Sequence, residues 1–161
     1  MQYHHHALLV MFWLWNHLAY ALLARTTAIN KPLISLPAEG STIVSGKQFT
    51  FTYTVSDACY EAYSPFSVLL LANPPSGLSP SGALMDADVL FSFGNYTAPN
   101  FGLPPLQDTS PPPTALTTPV LTGMEGSQVY LAVIETIMGC PPNGQTTYAL
   151  TANRVIYGAS E

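Results

Sequence analysis

The stretch Lys47-Gln48-Phe49-Thr50-Phe51-Thr52-Tyr53-Thr54-Val55-Ser56 alternates apolar and polar side chains without a fault. Period two is the pattern of a strand with one face in a core and the other in a polar environment. Phe49, Phe51, Tyr53 and Val55 are expected to point inward, and Gln48, Thr50, Thr52, Thr54 and Ser56 outward. Upstream, residues 32–36 and 41–44 read as short strands separated by the turn Pro37-Ala38-Glu39-Gly40. Downstream, the apolar run 66–72 lies between Pro65 and Pro74-Pro75 and is too short for a typical helix. It reads as a central strand packed on both faces.

Residues 87–93 form the next strand, with Val89, Phe91 and Phe93 on one side. Residues 115–122 make a poorer one, which Pro119 assigns to an edge. Two long strands, 128–138 and 146–157, follow, joined through Gly139-Cys140-Pro141-Pro142-Asn143-Gly144. No window after the first 28 residues sustains a 3.6-residue period. Seven or eight strands with Pro- and Gly-rich connections define an all-β chain. The expected architecture is an antiparallel sandwich of immunoglobulin or fibronectin type. Residues 103–119 carry six prolines among Thr and Ser, which makes them a stiff, extended surface connection.

The first 28 residues read as a secretion signal that precedes a single domain, 29–161. An apolar segment, 7–23, is interrupted only by Asn16 and His17. Small residues follow it, at Ala19-Tyr20-Ala21 and at Thr26-Thr27-Ala28. The run is shorter than the roughly 20 residues of a membrane helix. An uncleaved anchor or a buried helix are the alternatives, and the three histidines His4–His6 stand where a signal normally carries Lys or Arg. Cleavage after Ala28 would remove all four histidines and both tryptophans, leaving 133 of the 161 residues. That length suits one domain with one core.

The remaining chain would carry three basic and nine acidic residues, a net charge of −6. Such a chain cannot neutralise phosphates, so neither nucleic acid nor an anionic membrane is an expected partner. The polar C-terminal residues 154–161 argue against a glycolipid anchor. A soluble, extracellular monomer is expected.

Cys59 and Cys140 are the only cysteines. In an oxidising compartment they are expected to form one disulfide. In an immunoglobulin-like strand order they would lie in the B–C and F–G connections, at one end of the sandwich. Asn95-Tyr96-Thr97 is an N-glycosylation sequon, expected on a surface loop.

Reactive constellations are scarce. Without a mature histidine, Ser-His-Asp and Cys-His systems fail, and two cysteines alone cannot hold zinc. No G-x-S-x-G, G-x-G-x-x-G or Walker A pattern occurs. Asp86 and Asp88 share a face if they lie on a strand, which would suit an acid/base pair or half a calcium site. Their setting beside a Gly/Pro/Ser loop favours turn satisfaction instead. Glu135 shares the face of Val129, Leu131, Val133 and Ile137. Buried there it would have to be paired or protonated; the plainer expectation is that its strand has already emerged into solvent. Folding the last hairpin about Pro142 should bring Arg154 near Tyr130, for a cation–π or edge contact. Tyr60, Tyr63 and Tyr96 stand in loop-like sequence and form the preferred contact surface, unless they pack locally beneath the loops. No catalytic residue, cofactor or metal is expected.

The stretch Ile34-Ser35-Leu36-Pro37-Ala38-Glu39-Gly40-Ser41-Thr42-Ile43-Val44-Ser45-Gly46-Lys47-Gln48-Phe49 resembles the opening of the fungal necrosis-inducing secreted effector family. It is more loosely similar to the N-terminal immunoglobulin-like domain of fungal cell-wall assembly proteins. The first resemblance implies a non-catalytic protein that binds receptor-associated kinases of the plant immune system. It carries over no functional residue, because the family offers no short catalytic motif. A host or cell-surface protein is therefore the expected partner, and a fungal wall polysaccharide the alternative.

Overall fold

The computed structural model describes residues 31–56, 61–140 and 144–159. The leader 1–28, Cys59, Tyr60 and the side chain of Cys140 lie outside the described residues. Strands run in the order β1 (Leu33–Leu36), β2 (Thr42–Val44), β3 (Gln48–Thr50), β4 (Thr52–Thr54), β5 (Tyr63–Leu71) and β6 (Gly77–Leu78). They continue with β7 (Leu84–Met85), β8 (Val89–Pro99), β9 (Ala115–Thr117), β10 (Gln128–Cys140) and β11 (Gln145–Gly158).

The alternating stretch 47–56 is divided between β3 and β4. The break at Phe51 arises because the two halves take different partners: β3 pairs antiparallel with β9, and β4 with β1. Phe51 itself donates its N–H to Thr114 O at 2.9 Å. These four elements form one layer. The second layer is a five-stranded sheet in the order β2-β11-β10-β5-β8, antiparallel except where β2 runs parallel to β11. This is an immunoglobulin-type order, with β1, β3–β4 and β9 facing β5, β8, β10 and β11. Counting β3 and β4 as one, eight strands make the sandwich, as the sequence pattern requires.

The core lies between the layers. Ile34, Phe51 and Leu116 from the first layer meet Phe66, Val68, Leu131 and Val133 from the second. A second cluster joins Ile43, Leu70, Val129, Val155 and Tyr157. Each fully buried aliphatic side chain contributes about 1.5–3 kcal/mol. Aromatic rings extend the first cluster: Tyr53 lies 5.1 Å from Phe66, and Phe66 lies 5.7 Å from Tyr96. Tyr157 closes the lower end. Its hydroxyl donates to Pro119 O at 2.7 Å and accepts from Leu121 N–H at 2.7 Å.

Three expectations change. The run 66–72 is not packed equally on both faces. Ser64, Phe66, Val68 and Leu70 are buried on the core face, whereas on the other face Pro65, Ser67 and Leu69 are half-covered and only Leu71, at the strand's end, is buried. The strand read as 87–93 continues to Pro99, so the sequon lies inside β8 and not on a loop. The hairpin β6–β7, absent from the sequence reading, folds against β11. Gly82, at φ +81°, sits so close to the Tyr148 ring that a Cβ there would fall 2.6 Å from it. Only glycine fits that contact.

Candidate functional site

β10 alternates Val129, Leu131, Val133 and Glu135 toward the core, and Glu135 keeps that parity with 1% exposure. The expectation that it emerges into solvent is overturned. Its Oε1 accepts from Ser56 Oγ at 2.7 Å and from Ser56 N–H at 3.1 Å. Its Oε2 accepts from Tyr53 OH at 2.8 Å and from Ser56 N–H at 2.9 Å. Four hydrogen bonds, with no cation paired to it among the described residues, satisfy the carboxyl group, and the donors come from the opposite layer. Burial, and then the neighbouring Glu135, hold the Tyr53 hydroxyl far above the ordinary tyrosine range, so it remains a donor at all working pH values. The arrangement pins the end of β4 to β10.

Beyond it the chain reaches the sandwich end that bears the β4–β5, β8–β9 and β10–β11 connections. Asn100 N–H donates to Ala62 O, and Asn100 Nδ2 donates to Glu61 O at 2.7 Å. Tyr63 OH donates to Pro104 O at 3.1 Å, which draws residues 100–107 over the start of β5. Phe101 is 64% exposed, Leu103 38% and Leu106 41%. Met138, at the close of β10, is also exposed. Four large apolar side chains are thus exposed at this end of the domain.

Glu61 borders this surface. Burial raises its carboxyl above the ordinary 4.5, with a smaller push from the Glu135 charge, while a hydrogen bond from the Met138 backbone N–H opposes the rise. A raised carboxyl favours the protonated folded state. Its contribution is present in full below the unfolded value and is lost as pH rises through that value and the folded one. Glu61→Gln should therefore leave stability unchanged near pH 3 and increase it modestly at pH 7, flattening the profile between. Urea midpoints measured across that range check the result. An unchanged slope would contradict it.

A cleft of about 450 Å³ opens on the outer face of the five-stranded sheet. Its floor comprises Pro65, Ser67, Asn95, Thr97 and Thr136, and Asp108-Thr109-Ser110 form its wall. The wall is held by Thr97 N–H, which donates to Ser110 O at 2.9 Å along the free edge of β8. Ser67 and Asn95 are directly opposed across β5 and β8, and Ser67 Oγ donates to Asn95 Oδ1 at 2.7 Å. Hydroxyl, amide and carboxylate groups share the lining with apolar carbon in nearly equal measure.

Of the three tyrosines, Tyr60 lies outside the described residues, and Tyr63 and Tyr96 do not share a face. Tyr96 opposes Phe66 and shares its inward face, with its hydroxyl donating to Phe93 O at 2.8 Å. Tyr63 lies on the other face of the sheet, since it stands three residues before Phe66 on the same strand. Asp86 and Asp88 do not share a strand face either. Asp86 has φ +52° in the turn after β7, and β8 begins after Asp88. Asp86 accepts from Ser76 Oγ at 3.3 Å, and Asp88 accepts from Asn73 Nδ2 at 3.2 Å. Among the described residues, no group of three or more Cys, Asp or Glu side chains is placed to hold a metal ion.

Arg154 does oppose Tyr130, yet its Nε pairs with Glu39 at 3.2 Å instead of the ring, on the exposed surface. Cys59 lies in the β4–β5 connection, and Cys140 ends β10. The sequence reading missed Tyr53 and Ser56 as partners of Glu135, and it missed the apolar cluster 101–106. The former partners stand 79 and 82 residues from Glu135. The latter was masked by its prolines.

The fold and these surfaces define an immunoglobulin-type β-sandwich with an apolar loop end and a polar cleft. No family model and no curated protein matches the chain. A solved structure of murine CRIg is similar at TM-score 0.41 and 13% identity, covering 82% of this chain and 100% of that one.

Proposed function

We propose that this is a secreted, non-catalytic binding protein, effector-like, that docks a host or cell-surface protein through the loop end of the sandwich. The exposed cluster Phe101, Leu103 and Leu106 carries the reading. Charge narrows the partner. Between Lys47 and Arg154 the chain holds seven acidic residues and no basic one, and Glu61 and Asp108 fall in the segments around the cluster. The complementary surface is an apolar patch with a basic rim, which would also accelerate encounter at low salt. The resemblance over residues 34–49 agrees with this class. That stretch builds β1, β2 and the start of β3, which are scaffold and not contact surface. Glu135 supports a non-catalytic role, since it is enclosed and fully hydrogen-bonded.

The secreted full chain, screened against a panel of purified ectodomains and their kinase domains, should yield a partner with salt-dependent association. Phe101→Ser combined with Leu103→Ser should then weaken binding at least about tenfold without changing the unfolding midpoint, as expected for central interface anchors. Binding that ignores both substitutions would sink the reading.

The polar cleft favours a second reading, a carbohydrate-associated protein of the fungal wall. It requires retention on insoluble wall polysaccharide that is lost when Thr136 or Ser110 is replaced by a bulky residue.

A further inference from the structure

We propose that the cleft on the outer face is the seat of the protein's own N-linked glycan, attached at Asn95. The proposal rests on the export part of the reading above. Asn95 is exposed and lies in the cleft floor, and its sequon partner Thr97 lies in the same floor. Ser67 Oγ ties down Asn95 Oδ1 at 2.7 Å. The amide is planar, so Nδ2 turns away from Ser67, on the side where a substituent can leave the strand. A sugar attached there meets hydroxyl groups of Thr97, Thr109, Ser110 and Thr136 and the carboxylate of Asp108. About 450 Å³ falls within the roughly 300–1,000 Å³ of small-ligand sites and accommodates the first sugar units.

In the attachment step Nδ2 loses a proton and bonds to the anomeric carbon of N-acetylglucosamine. The bond from that carbon to the pyrophosphate of a lipid-linked oligosaccharide donor breaks, and the lipid pyrophosphate leaves. Folding then closes Asp108-Thr109-Ser110 along β8 and against the attached sugar. The chemistry that would hold a wall polysaccharide is thereby taken by a tethered one, whose effective concentration a free chain cannot match.

The test expresses the full chain in a eukaryotic secretory host and compares three forms. One keeps the whole glycan, one is trimmed enzymatically to a single N-acetylglucosamine, and one is Thr97→Ala, which abolishes the sequon and leaves Asn95. Thr97→Ser, which keeps the sequon, serves as the folding control. Whole and trimmed forms should unfold at the same temperature, and Thr97→Ala several degrees lower than Thr97→Ser. Amide exchange at residues 108–110 should be slower by on the order of tenfold when the first sugar is present. Equal midpoints and equal exchange in all forms would overturn the proposal. Export of a chain with no added mass at Asn95 would overturn it while sparing the export reading. Retention inside the cell without a glycan would remove both.

Discussion

Replacing Cys59 and Cys140 together by serine should lower the unfolding free energy by about 4 kcal/mol, the value expected for opening a loop of about 80 residues. The two ends of the segment that carries Cys59 are held against β10. Ser56, three residues before it, donates both its N–H and its hydroxyl to Glu135. Glu61, two residues after it, has the Met138 backbone beside its carboxyl. Cys140 closes the same strand two residues beyond Met138. A bridge needs Cα atoms within about 7 Å, and Ser56, at one end of the segment that carries Cys59, is bonded to the strand that ends in Cys140. Domains of this size have roughly 5–15 kcal/mol in total, so the loss would bring the protein near its threshold. Denaturant titration of the double variant measures the loss. Thiol titration of the native wild type should find none reactive. Two reactive thiols, or an unchanged midpoint in the double variant, would refute the bridge.

The second large effect is expected at Glu135. Glu135→Ala should cost about 3–5 kcal/mol, because it strands the Ser56 N–H and the Tyr53 hydroxyl inside the core and opens a cavity as well. Glu135→Gln should cost far less. Its carbonyl can still accept from Ser56 N–H, and the hydroxyls of Tyr53 and Ser56 can rotate to accept from its amide. A double-mutant cycle with Tyr53→Phe isolates the cross-layer pair, and a coupling of about 1 kcal/mol or more is expected for bonded neighbours. An Ala variant within 0.5 kcal/mol of wild type would show that the carboxyl does not pin β4 to β10. Ser56 bonds Glu135 and stands three residues from Cys59 in the chain, so the two effects should not add.

These sites illustrate unequal legibility. Lys47–Ser56 revealed its buried face because Phe49, Phe51 and Tyr53 alternate with threonines, and that pattern is local. Yet the break at Phe51 arises from a change of pairing partner, which no local pattern records. Glu135 shared the parity of Val129, Leu131 and Val133. An uncompensated buried carboxylate is costly enough that solvent was the sounder local expectation. The donors that reverse this judgement come from a distant strand in the other layer. β8 was truncated in the sequence reading because Asn95 and Thr97 face outward on a free edge and imitate a loop. The hairpin β6–β7 has two-residue strands in a Gly-, Pro- and Ser-rich segment, which leaves nothing for a periodicity to detect.

The amino-acid order alone determined the class of the protein. Strand periods, turn residues and the absence of helical spacing are short-range properties, and together they admit a sandwich and little else. It also determined the acidic, arginine-poor character of the chain, from which nucleic acid is not an expected partner. Only the tertiary structure decided what the surfaces are. It set Tyr63 and Tyr96 on opposite faces, enclosed Glu135, gathered Phe101, Leu103 and Leu106 at one end, and laid Asp108-Thr109-Ser110 beside Asn95. Each of those outcomes depends on register and on contacts between residues far apart in the chain, where a shift of a single residue turns a side chain to the other face.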